Sequence, residues 1–139
     1  MSKEDKTLTL ISTATGCLGT ANIVVLGVYI INRCLRLALL LPNFLTEAII
    51  TAFATSISAA MLLYGSYLIY KGQGNKGGIF NILAGAITII IYAYFTVNWE
   101  FPFLVQLGPT GYLLLIPAPI SGILGILIFK AKKQKGQTV

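Results

Sequence analysis

The chain has 139 residues, 56% of them apolar and only 10% charged, with a mean hydropathy of +0.84. A water-soluble domain carries about 25% charged residues, so this composition excludes an ordinary soluble globule and makes the bilayer the solvent. Ten basic and four acidic residues give a net charge of +6, and histidine is absent. That absence removes the usual ligand for haem, zinc and non-haem iron and the usual base for a serine or cysteine nucleophile.

The first apolar run, 8–31, is long enough for the roughly 20 residues a spanning helix needs. It follows Met-Ser-Lys-Glu-Asp-Lys, a start that a signal peptide could share. The run is too long for a signal core, however, and Ser12, Thr13, Thr15 and Asn22 interrupt it. Ala-Asn-Ile is also a poor cleavage site, so the run reads as a retained helix. Cys17 and Cys34 are the only cysteines. On one helix they lie about 25 Å apart, too far to bridge. Asn32, Arg33 and Arg36 mark the exit to water, and the apolar stretch after them is expected to continue as helix, or to lie along the interface, until Pro42 stops it. Asn43 and Thr46 offer capping oxygens for the next helix, with Glu47 in its first turn.

The second span is 48–70. It leads into KGQGNKGG (71–78), which holds four glycines and no apolar residue and reads as a flexible turn. The loop lacks the GxxxxGK[ST] order, and no strand precedes it, so it is not a phosphate loop. The third span, 79–98, ends in Tyr92, Tyr94, Phe95, Trp99, Phe101 and Phe103, the pattern of an interfacial aromatic belt, with Glu100 and Pro102 inside it. GPTG (108–111) turns the chain into the fourth span, 112–129, and a lysine tail follows. The expected fold is therefore an all-α integral membrane protein, one domain over 1–139, with four transmembrane helices and short loops. The halves show no internal repeat.

With four spans, both termini and the central loop share a side. That side collects Lys3, Lys6, Lys71, Lys76, Lys130, Lys132, Lys133 and Lys135, and the other has only Arg33 and Arg36. The positive-inside bias places both termini and the glycine loop in the cytoplasm, which makes the chain a multi-pass protein of the cell membrane. The lysines also attract anionic headgroups by about 1 kcal/mol each. Since topology already accounts for them, nucleic acid is not an expected partner.

Four constellations stand out. Arg33, Arg36, Glu47 and Glu100 meet near the outer interface, where mutual neutralisation across three helices explains them better than an ion gate. Small residues recur at helical spacing: Ser12, Gly16, Gly19, Thr20 and Gly27 in span one; Ala48, Ala52, Thr55, Ala59 and Ser66 in span two. Span three adds Asn81, Gly85 and Thr88, and span four Ala118, Ser121, Gly122 and Gly125. Such faces let helices approach closely, and four of them suggest that some meet a partner. Tyr64, Tyr67 and Tyr70 form a ladder on span two that reads as an inner aromatic belt. With Asn81 as the hydroxyl partner of Tyr64, it is also a candidate lipid or quinone contact. Pro117 and Pro119 should kink span four near 116–121, freeing carbonyls that need a partner.

No carboxylate, histidine or lysine is expected at mid-bilayer, where proton-coupled carriers place an ionisable group. Four short spans resemble the small multidrug resistance transporters in number. Those carry a membrane-embedded glutamate in the first helix, and span one here has none. No catalytic, metal or cofactor site is expected. The leading expectation is a non-catalytic accessory subunit of a larger membrane complex, for example a respiratory one, with other membrane subunits or copies of itself as partners. The alternatives are a small oligomeric channel or carrier, and a structural protein of a membrane coat or envelope.

Overall fold

A computed structural model of the chain describes residues 3–97 and 108–136, and every element in them is helical. The helices are α1 (Lys3–Ala38), α2 (Asn43–Tyr70), α3 (Gly74–Val97), α4 (Gly108–Leu115) and α5 (Pro117–Gln134). Four stretches are long and apolar enough to cross a membrane: α1, α2, α3 and Thr110–Gln134, which joins α4 to α5. The membrane fold expected from composition is present at that level. Trp99, Glu100, Phe101, Pro102, Phe103 and the end of the third span at Asn98 lie outside the described residues.

Each long helix packs antiparallel on the next, and α5 returns against α1, so the four form a ring, with α4 in contact with α1 and α3. α1 has 36 residues, about 54 Å at the α-helical rise, so it overshoots a hydrocarbon core of about 30 Å. It ends at Ala38, four residues short of Pro42, where Leu40 and Leu41 N–H both turn back onto the Leu37 carbonyl. α2 begins directly after Pro42, whose ring supplies the helical φ that a first turn needs. No side chain caps this helix, so Asn43 and Thr46 are helical residues and Glu47 lies beyond the first turn.

The glycine stretch departs from expectation. Only Lys71–Gln73 form the reversal, and Gly74, Gly77 and Gly78 are buried residues of α3. The turn is compact because Gly72 takes φ +87°, which lets Gly72 N–H reach Ile69 O at 3.0 Å and Gln73 N–H reach Leu68 O at 2.8 Å. This paired closure of a helix C-terminus needs a left-handed residue, and glycine adopts that conformation without strain. The remaining glycines are spent on packing. A side chain on Gly77 would run into the Gly65 carbonyl, and one on Gly74 into that of Gly125.

The interior is graded along its axis. Near the termini it holds small and polar residues: Ser12, Gly16, Ser66, Asn81, Ser121 and Gly125. Toward the far end it holds Ile23, Leu26, Ile30, Phe44, Tyr92 and Phe95. The belt reading is therefore corrected for two aromatics. Tyr92 and Phe95 are core residues, Tyr92 meeting Tyr112 edge-on at 4.7 Å, whereas Tyr94 faces outward. Their separation of three residues puts them on the inward face that Thr88 and Gly85 also share.

Candidate functional site

The main polar feature is a four-helix clasp. Ser12 of α1 and Ser121 of α5 exchange hydrogen bonds: Ser12 Oγ donates to Ser121 O at 2.9 Å, and Ser121 Oγ donates to Ser12 O at 2.7 Å. Asn81 of α3 donates Nδ2 to Ser121 Oγ at 2.9 Å and, more weakly, to Ser66 Oγ of α2 at 3.4 Å. Ser66 in turn donates to Leu62 O at 2.8 Å. Ser12, Asn81 and Ser121 are each 0% exposed, so water cannot substitute for any of these bonds. Asn81 Oδ1 receives no hydrogen bond. It lies against Gly65, at the point where a Cβ would sit, which leaves it a Cα–H contact worth about 0.5–1 kcal/mol. Gly16 opposite Ser66 and Ser121 provides the room that lets the four side chains converge.

Asn81 is thus separated from the tyrosine ladder. Tyr64, Tyr67 and Tyr70 are 53%, 49% and 64% exposed on the outside of α2, and Tyr64 packs edge-on against Phe80, not against Asn81. Asn81 itself is 0% exposed. The tyrosines keep the outward position a lipid or quinone contact requires. Lys71 Nζ sits over the Tyr67 ring, 4.8 Å from its centroid.

At the far end, Arg33 lies over the Tyr29 ring at 5.4 Å, Arg36 is exposed in the last turn of α1, and Glu47 accepts a bond from Tyr94 Oη at 3.3 Å. Glu100, the fourth member, is outside the described residues. At the other end of the bundle, Lys135 Nζ lies 3.9 Å from Asp5 Oδ1.

Span four breaks at Ile116, just before Pro117 and Pro119. Ile120 N–H still reaches Ile116 O, at a long 3.3 Å. Asn22 of α1 donates Nδ2 to Leu114 O at 3.0 Å, supplying a neighbouring-helix partner in the turn where the prolines interrupt the ladder. Beside this break is a cavity of about 20 Å³ lined by Leu115, Tyr92, Thr51, Thr55, Thr88 and the Gly27 backbone among others, room for about one water. Among the described residues no group of three or more His, Cys, Asp or Glu could hold a metal.

The clasp was only half legible in the sequence. Its serines and Asn81 stand among the small-residue stripes, but the sequence also offers Asn81 as a partner for Tyr64. The missing signal was the level along the bundle: only the fold shows the Asn81–Gly85–Thr88 face turned inward at the height of Ser12 and Ser121. Compared with known proteins, the chain matches no family model, no curated protein and no solved structure.

Proposed function

We propose that the chain is a non-catalytic subunit of a multisubunit assembly in the cell membrane, with both termini and the α2–α3 turn on the cytoplasmic side. The observation behind this reading is how fully the interior is used for holding the helices together. The clasp hydrogen bonds are made among its own members, and backbone meets backbone at Gly65–Gly77, Gly74–Gly125 and Gly78–Gly122. What remains to act is the outer surface, which is apolar on every long helix and suits protein or lipid neighbours. The lysine bias at the chain ends supports the orientation. Mild detergent extraction followed by native mass spectrometry tests the proposal: the chain should co-migrate with other subunits, and a stable partner-free monomer would overturn it.

A second reading, an oligomeric channel or carrier, draws on the buried hydroxyls of Ser12, Thr20, Thr51, Ser58 and Thr88 along the inward faces. Under it, purified chain reconstituted in liposomes passes an ion or small solute. Silence across a broad panel removes it.

A further inference from the structure

Eight of the ten basic residues belong to three segments: the start of α1, the α2–α3 turn, and the end of α5. The fold brings these segments to one end of the bundle. Asp5 and Lys135 pair across α1 and α5, and Gly74, just past the turn, packs against Gly125 and Phe129 of α5. Only Glu4 and Asp5 oppose those eight lysines, so this end carries +6, the whole formal net charge of the chain. At the opposite end, among the described residues, are Arg33, Arg36 and Glu47. The bundle is therefore strongly polarised along its axis.

We propose that this end is a binding surface for anionic phospholipid headgroups, centred on Lys71 and the outward Tyr67–Tyr70 face of α2. The proposal rests on the helices spanning a bilayer, and not on the subunit reading. Lys71 closes α2, the point where that helix leaves the hydrocarbon, and its ammonium is held over the Tyr67 ring. Contact with Tyr67 raises the Lys71 pKa from its ordinary value, and a lysine at its ordinary value is already charged at neutral pH. Tyr70 directly precedes Lys71 and is exposed, an amphipathic side chain at headgroup depth. Lys76, Lys130 and Lys133 are exposed and add attraction around this centre. Phosphatidylcholine, with no net charge, gains nothing from such a surface, whereas phosphatidylglycerol gains about fivefold in affinity per lysine near the headgroup plane.

The test is native mass spectrometry of the purified full chain in neutral detergent, with equal amounts of phosphatidylglycerol and phosphatidylcholine of identical acyl chains. Phosphatidylglycerol should be retained preferentially. Lys71→Gln should lower its apparent affinity about fivefold, Tyr67→Leu should weaken it by less, and Tyr67→Phe should leave it within twofold. Unfolding midpoints in neutral detergent should match the parent for each variant, which separates lipid loss from misfolding. Equal retention of the two lipids overturns the proposal. So does a Lys71→Gln variant that binds like the parent while Lys130→Gln with Lys133→Gln abolishes binding, since the centre would then be the tail. Displacement of the lipid by millimolar inorganic phosphate alone would show an anion site and not a lipid surface, and would also overturn it.

Discussion

Gly78→Ala asks whether the glycine stretch after α2 is a turn or a packing seam. A Cβ on Gly78 would lie 2.5 Å from Gly122 O and 2.6 Å from Ile126 Cγ1. Ordinary contact begins near 3.5 Å, so α3 and α5 must part by about 1 Å at this level. The obstacle is a backbone carbonyl, which cannot rotate away as a side chain would. Overpacking of this kind costs about 1–3 kcal/mol, against a gain of about 0.8–1 kcal/mol from replacing a helical glycine by alanine. The difference is a net loss of about 0–2 kcal/mol. Reversible unfolding in mixed detergent reads the difference. Ile90→Ala on the same helix, at a residue 68% exposed, is the control and should shift stability by less than about 0.5 kcal/mol. In a solvated turn, Gly78→Ala would stabilise by about 0.4–1 kcal/mol through the unfolded chain. A stabilisation of that size therefore refutes the seam.

Three further substitutions probe other elements. Asn81→Leu removes the donor to Ser121 Oγ at 2.9 Å and should cost about 0.6–1.7 kcal/mol, the range for interhelical hydrogen bonds in membranes. A double-mutant cycle with Ser121→Ala should recover most of that as coupling, and additive costs would show that the clasp does not act as a unit. Gly72→Ala places a Cβ in open space but at φ +87°, so backbone strain alone sets its cost at about 1–2 kcal/mol. Gly72→Asn, checked by the same unfolding assay, should cost less. Tyr112→Phe removes the 2.9 Å bond between Tyr112 Oη and Thr96 Oγ1 but keeps the edge-on contact with Tyr92. It should cost about 0.5–1.5 kcal/mol, clearly less than Tyr112→Ala.

The spans were readable because apolar length is a strong signal where lipid replaces water. What was misread turned on phase and packing. KGQGNKGG has the composition of a turn, yet the reversal needs only Lys71–Gln73. Its later glycines follow helical spacing and meet Gly65, Gly122 and Gly125. Close backbone approach outweighed the low helix propensity of glycine, and only the identity of the opposing helices could show it. Tyr92 and Phe95 were grouped with Tyr94 by aromatic character alone, although their spacing gives them the inward face and Tyr94 the outward one. The stripes of α1, α3 and α5 do face inward as packing surfaces. On α2 the buried set shifts to Ala48, Thr51, Ser58, Gly65 and Ser66, with Ala52, Thr55 and Ala59 only partly covered.

That inward use of the small residues changes what a partner would have to touch. Gly16, Gly19, Gly27, Gly78, Gly85 and Gly122 all meet other helices of the same chain, so a neighbouring protein must pack on the bulky outward faces. Cys17 offers a native probe there, since it is exposed on α1 while Cys34 is buried. A bilayer-partitioned carbene-generating photoprobe, which inserts at a thiol without needing the thiolate, should label Cys17 and spare Cys34 in liposomes containing only the purified chain. In native membranes the lipid burial is the same, and a covering subunit is the added variable. Leu63→Cys, Ile90→Cys and Leu127→Cys, introduced singly into a Cys17→Ser background, extend the comparison to α2, α3 and α5, because each parent side chain faces outward. The subunit reading requires at least one of the four positions to be protected in native membranes relative to liposomes. Equal labelling at all four would leave every outward face in contact with lipid alone, and the reading would fall even if other proteins co-purified with the chain.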